Sequence, residues 1–246
     1  MGGRHSQCIV YQKDPALLAQ LEQQRAQLCL LQQQLEAIKK EAERRQDPLY
    51  YRQNQEELLE RFLETLKNQG LHFQSVLDPQ IAHLHNVLVI GDVSCGKSSL
   101  LNCLFDLQLK AGRGHTTTDI SPVYHADSCV VWDSPGGNNE AFAFYDPDTL
   151  NFIHSVSLVV VLYETSLITV KNIVRVCAAI KGKSLVVART KCDLFHPGEA
   201  SIDDEMQKDI DVLRRLHIGD VQVFTTSALG KHLFENQLLR NAMCTA

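Results

Sequence analysis

The chain reads as an α/β protein, a mostly parallel β-sheet covered by helices on both faces, with a helical coiled-coil segment ahead of it. Three observations predict this. After residue 80 the apolar runs "NVLVI", "CVVWD", "SLVVVLY", "SLVVART" and "VQVFTT" recur, with helical stretches between most of them. The runs are nearly all apolar rather than alternating, as strands buried on both faces require. Before residue 80 the chain is rich in Gln, Glu, Leu and Arg, with apolar residues spaced by four and three.

Taken in order, residues 1–13 are expected to be a flexible N-terminus and 14–80 a helical segment. Leu17, Leu21, Gln24, Leu28, Leu31, Leu35, Ile38 and Ala42 form a coiled-coil seam with one polar layer at Gln24. The seam implies self-association; the alternative is one long amphipathic helix packed on its own globular domain. Pro48 in "QDPLYY" interrupts it, because proline lacks an amide donor and restricts the residue before it. A second helix is expected with Leu59, Phe62, Leu63 and Leu66 on one face, stopping at Gly70. Residues 81–246 then form the α/β domain, with "SPVYHA" as an additional antiparallel edge strand.

Bulk properties narrow the function. A chain of 246 residues with 44% hydrophobic content can bury a sizeable core. The formal charge of -5 gives no support to general nucleic-acid binding, and no nucleic-acid partner is expected. Eight cysteines without C-x-x-C pairs fit reduced thiols in a cytoplasmic protein better than a disulfide framework. No secretory signal and no apolar run long enough to span a bilayer is present in the sequence.

The chemistry is concentrated in four motifs. "GDVSCGKS" between a strand and a helix satisfies G-x-x-x-x-G-K-S/T. Gly91 and Gly96 allow a tight turn, and the amides of Asp92, Val93, Ser94 and Cys95 then point inward as an anion nest at a helix N-terminus. Lys97 can neutralise β and γ phosphates, Ser98 can ligate Mg²⁺, and Ser99 follows in the first helical turn. In "WDSPG", Asp133 ends a strand and can hold Mg²⁺ through water, and the Gly136 amide can donate to a γ-phosphate. "RTKCDL" selects the base: after the strand, Thr190 precedes Lys191 and Asp193. A carboxylate at Asp193 accepts two hydrogen bonds from the N1 and N2 donors of guanine, whereas adenine leaves it unpaired. The Lys191 stem can lie over the base. In "TTSAL", Ser227 and the backbone of Ala228 can meet the guanine carbonyl oxygen.

Four motifs in this order resemble a GTPase of the Ras-like phosphate-loop class, which implies GTP and GDP as ligands and Mg²⁺ as cofactor. "GDVSCGKSSLLNCL" is similar to the G-x-x-S-x-G-K-S-S-x-x-N-x-L pattern of the dynamin superfamily, Ser94 included. "AGRGHTTTD" resembles the switch segment of mitofusin-type fusion GTPases, and "DSPG" also matches that branch. Immunity-related GTPases are a second resemblance, through paired threonines, the T-K-x-D base motif and an often acylated N-terminus. The resemblance makes Thr117 the second Mg²⁺ ligand and γ-phosphate sensor, with Thr118 as fallback. His115 becomes a mobile switch residue, with a solvated loop histidine as the alternative. "TKCD" is closer to dynamins and immunity-related GTPases than to mitofusins. No long stalk follows "TTSAL", so a short relative, isoform or regulator is expected rather than a complete fusion machine.

Expected function follows from these residues. Water attacks the γ-phosphate in line, with Lys97, Mg²⁺, loop amides and Gly136 stabilising charge. Gly137 stands where Ras-like enzymes often carry a water-orienting Gln, so turnover is expected to be slow unless GTPase domains pair across the nucleotide face. Ser94 and Thr116–Thr118 would then orient water, and Arg113 is a candidate charge donor. The alternatives are a catalytically weak GTP-binding scaffold and a small regulatory switch. "MGGRHS" meets M-G-x-x-x-S/T, making Gly2 a candidate for myristoylation and Cys8 for palmitoylation, hence peripheral attachment to a membrane; the alternative is a disordered tail. Cys95, at a helix N-terminus where a thiol pKa is lowered, raises a redox reading together with Cys192; the alternative, which the loop favours, is a small residue tolerated there.

Overall fold

The computed structural model describes residues 75–111, 119–136, 147–181, 184–194, 201–219, 221–229 and 234–244, together with helical positions between 19 and 41 and between 54 and 64. Six strands, β1 (His85–Gly91), β2 (Ser121–His125), β3 (Cys129–Asp133), β4 (Leu158–Tyr163), β5 (Leu185–Arg189) and β6 (Gln222–Thr225), form one sheet. Their order is β2-β3-β1-β4-β5-β6. All neighbours are parallel except β2, which runs antiparallel to β3 at the edge. All six expected strands are present, "SPVYHA" included.

Residue alternation along each strand divides the core between two faces. Val87 and Val89 of β1, with Val160 and Leu162 of β4, meet α1 (Lys97–Phe105) and α5 (Asn236–Cys244). Leu88 and Ile90, with Val159 and Val161, meet α2 (Pro147–Ser155), α3 (Lys171–Lys181) and α4 (Ile202–Arg215). Both faces of β1 and β4 are therefore dry, which is why these strands carry apolar residues at every position. The polar exception, Asn86, is fully buried and satisfied. Its amide donates to the carbonyls of Ile81 and Leu84 at 2.8 and 2.9 Å, and its carbonyl oxygen accepts from Trp132 Nε1 at 3.0 Å.

Helix boundaries follow local chemistry. α4 begins at Ser201, whose hydroxyl accepts from the Asp204 amide at 3.1 Å, with Asp203, Asp204 and Glu205 in its first turn and Arg214 and Arg215 in its last. That charge order suits the helix dipole. α1 stops at Asp106, in a left-handed conformation with φ 53°. α5 had no counterpart in the sequence reading, although Leu239 and Met243 lie one turn apart on its buried face.

Ahead of the sheet, Ile38 is described and half-buried, and the other seven seam positions lie outside the described residues. The second expected helix covers positions 54–64, with Leu58, Leu59, Phe62 and Leu63 buried. Leu66 lies outside the described residues. Glu56 pairs with Lys171 at 3.0 Å and Arg175 at 2.6 Å, and Glu60 pairs with Arg175. This helix thus docks against α3. Among the described residues, no helix is long and apolar enough to cross a membrane.

Candidate functional site

The carboxyl ends of β1, β3, β4, β5 and β6 converge on one edge of the sheet. β1 lies between β3 and β4, so the chain crosses to opposite sides after it, and the crevice at this switch point is where open parallel sheets bind ligands. In register, Val89 faces Asp133 and Gly91 faces Leu162.

The loop from Gly91 to Ser98 wraps this crevice. A Cβ on Gly91 would sit 2.3 Å from the Leu162 carbonyl oxygen, so only glycine lets β1 turn so close to β4. Ser94 and Gly96 take left-handed backbone angles, φ 62° and 90°, as the turn into α1 requires. Lys97 is buried, and its Nζ donates to the carbonyls of Asp92 at 3.0 Å and Gly91 at 3.3 Å. The Asp92 carboxylate accepts from the Val93 amide at 2.8 Å, and burial raises its pKa. Ser94 is exposed at the tip, and Ser99 is half-buried in α1.

Ser98 Oγ donates to Asp133 Oδ2 at 3.1 Å, and both side chains are buried. Two hard oxygen donors side by side beneath the loop are the donor chemistry Mg²⁺ takes, so the residues present fit that ion. Gly136 closes over them: a Cβ there would lie 2.9 Å from Val93 Cα and 3.2 Å from Lys97 Nζ. Arg113, His115, Thr116, Thr117, Thr118 and Gly137 lie outside the described residues.

The base motif lies beside the loop. The Thr190 hydroxyl donates to the carbonyls of Tyr163, at 3.1 Å, and Cys95. Lys191, with φ 55°, stretches back to the Ser94 carbonyl at 2.9 Å and pairs with Glu164 at 2.6 Å. Its stem passes 3.7 Å from a Cβ built on Gly96, so base motif and phosphate loop are tied directly. Asp193 is exposed and accepts a hydrogen bond from Ser227 Oγ. Ala228 follows, half-buried. The segments are also joined by backbone, Cys192 N to Thr226 O at 3.1 Å and Thr226 N to Arg189 O at 2.7 Å.

Sequence reasoning missed three supports. Asn236, the first residue of α5, clamps Ser227 from both sides: its Oδ1 accepts from the Ser227 amide at 3.1 Å and its Nδ2 donates to the Ser227 carbonyl at 2.7 Å. Glu235 accepts from the Thr225 amide at 2.8 Å. Arg189 forms a buried ionic cluster with Asp209 and Glu205, each at 3.3 Å, and Asp209 accepts from Tyr163 at 2.7 Å and the Leu167 amide at 3.0 Å. An arginine inside an otherwise apolar strand was the available signal, since a buried charge demands partners.

The structure favours the small loop residue over the reactive thiol at Cys95. Cys95 is 2% exposed, and its thiol pKa is raised, not lowered: burial outweighs the Lys97 charge. Cys192 is buried and raised for the same reason. Neither is the reactive thiolate that the helix N-terminus suggested.

Residues 86–191, less than half of the chain, match the family model described as 50S ribosome-binding GTPase. Among curated proteins none matches the chain. Among solved structures, a bacterial selenocysteine-specific elongation factor, EF-Sec, is similar at 18% identity and TM-score 0.50, over 65% of this chain and 28% of that one. Era from Aquifex aeolicus bound to GDP and AlF4- gives 16% and 0.47, and Era with MgGDPNP and nucleotides 1506-1542 of 16S ribosomal RNA gives 15% and 0.48. Each Era comparison covers 65% of this chain and 56% of the other, so this chain spans about half or less of the structures it resembles. The matched stretch contains the loop Gly91–Ser98, the strand-end Asp133 and Lys191, and ends before Asp193. The chain therefore has the fold of a Ras-like phosphate-loop GTPase domain, a mostly parallel six-stranded sheet with helices, and over residues 86–191 it is similar to a GTPase family.

Proposed function

We propose that the nucleotide lies across the carboxyl edge of the sheet, triphosphate over Gly91–Ser98 and guanine against Asp193. The observation that carries this is the joining of both motifs: Lys191 bonds the loop carbonyl of Ser94 while Asp193, two residues on, meets Ser227. On this reading the amides of residues 92–98 and the α1 N-terminus hold the phosphates. Lys97 exchanges the carbonyls of Gly91 and Asp92 for phosphate oxygens. Ser98, Asp133 and Thr117 would hold Mg²⁺, which would supply charge neutralisation on the β and γ phosphates. Gly136 donates its amide to the γ-phosphate, and Ser94 with Thr116–Thr118 orients the attacking water, His115 moving with the switch. The water oxygen bonds to the γ-phosphorus as the bond to the β-bridging oxygen breaks, leaving GDP and phosphate.

The direct test is nucleotide competition and phosphate release. GTP is expected to outcompete ATP by about 10²-fold or more, because adenine leaves the Asp193 carboxylate unpaired. Asp193→Asn removes that preference. Lys97→Ala is expected to cut phosphate release by roughly 10²–10³-fold. Equal binding of both purines by the wild type would overturn the reading.

The finer reading is nucleotide-dependent pairing of GTPase domains at a cytoplasmic membrane surface, in the manner of dynamins and mitofusins. Its support is in the sequence: "GHTT", "DSPG", the seam before residue 80, and "MGGRHS" with Cys8. Specific activity rising with protein concentration, and an acyl mass on Gly2 after eukaryotic expression, are the expected results. Flat, slow turnover favours the GTP-binding scaffold or small regulatory switch, for which Gly137 is the specific observation.

A further inference from the structure

None of the described cysteines is in a disulfide, and two of them meet far from the nucleotide loop. The Cys129 thiol donates to Cys244 Sγ at 3.5 Å across 115 positions of sequence. Cys129 opens β3, in register with His85 of β1, and is 1% exposed. Cys244 closes α5 and is partly exposed. The Arg240 guanidinium lies one turn earlier on α5, 5.7 Å above the Phe105 ring, and its charge reaches Cys129.

We propose that Cys129 and Cys244 are an oxidation site that closes to an intramolecular disulfide, with a hydroperoxide as oxidant. The roles of the two sulfurs differ. Burial and the neighbouring sulfur push the Cys129 thiol up to about 11, so Cys129 keeps its proton and donates it. Cys244 is the accepting and more accessible sulfur, the one an oxidant meets first. Its thiolate attacks the peroxide O–O bond, forming a sulfenic acid and releasing alkoxide or hydroxide. Cys129 Sγ then attacks that sulfur: the S–S bond forms, the S–O bond breaks, and the departing hydroxide takes the Cys129 proton as water. Two thiols lose two electrons, and the peroxide is reduced by two.

Geometry permits the closure. Bonded sulfurs lie about 2.05 Å apart, so one sulfur must travel roughly 1.5 Å. Cys129 is held in the sheet, whereas Cys244 is the last residue of its helix and can supply that movement by side-chain rotation. The bond would tie α5 to β3, and α5 is the helix whose other end holds Ser227 through Asn236. Peroxide sensitivity is thereby assigned to the C-terminal helix, not to Cys95.

The test treats the full chain with hydrogen peroxide, blocks remaining thiols by alkylation and maps peptides without reduction. The expected product is a Cys129–Cys244 linked peptide, reversed by dithiothreitol and missing from Cys244→Ser and Cys129→Ala. Oxidised wild type is also expected to melt several degrees higher than reduced, with no such shift in Cys244→Ser. Recovery of Cys244 as a free thiol or sulfinic acid beside an unmodified Cys129, or its linkage to any other cysteine, overturns the proposal.

Discussion

Asn236 shows how a residue outside every motif can govern one. Ser227 is fully buried, and Asn236 satisfies both of its backbone groups while the Ser227 hydroxyl donates to Asp193. Truncation to Asn236→Ala removes two hydrogen bonds from the buried Ser227 backbone, each contributing about 0.5–1.5 kcal/mol, while the carbonyl keeps the Cys103 thiol at 3.9 Å. The expected result is at least tenfold weaker GTP binding together with a smaller preference for GTP over ITP, measured by calorimetry. ITP lacks only the N2 donor that the proposed function assigns to Asp193, so a merely structural defect would weaken both equally. Asp193, Lys97, Ser98 and Asp133 were legible in the sequence because their chemistry dictates both residue type and spacing to the loop. Asn236 was not, because a clamp made of one amide side chain has no motif; only the docking of α5 brings it to Ser227. Cys95 is the converse: its place at a helix N-terminus was legible, while the burial that decides for a small loop residue over a reactive thiol was not.

At the scale of elements, the segment over 54–64 is held by charge as well as by Leu59 and Phe62. Burial pushes the Glu56 carboxyl up, and the hydrogen bonds and charges of Lys171 and Arg175 more than offset it, leaving it below 4.5. Its contribution is therefore complete above that value and is lost as pH falls through the lowered one. Arg175 is only 12% exposed, so its two pairs with Glu56 and Glu60 are more shielded than ordinary surface pairs. Arg175→Glu is expected to release this helix, seen as faster hydrogen exchange confined to residues 54–64, with GTP hydrolysis little changed and the melting temperature lowered by only a few degrees. Exchange that matches wild type there would show that apolar burial alone docks it. The apolar face of this helix was visible in its spacing; its seat on α3 was not, because Glu56 and Lys171 are 115 positions apart.

For the whole molecule, stability is expected to decline in mild acid. Burial holds His85 below its ordinary 6.5, and burial with the nearby Lys181 charge does the same for His154. The unfolded chain takes a proton at each site as pH drops below 6.5, while the folded chain does so only lower down. The unfolded state then binds more protons, and stability falls with pH. The melting temperature should be level above about pH 7 and drop between about pH 6.5 and 5. His154→Gln should make that drop shallower; an unchanged slope would show that His154 is not among its causes.

The sequence by itself determined the strands, their burial on both faces and the loop and strand-end residues gathered at the carboxyl edge of the sheet, because apolar runs and loop chemistry are local properties. Tertiary structure decided what distant segments do to one another. It seated the helix over 54–64 on α3, placed Asn236 behind Ser227, gathered Asp209 and Glu205 around Arg189, and set Cys129 against Cys244. Each is a contact between residues whose types are individually unremarkable, and only the closing of the sheet and its helices selects which of them meet.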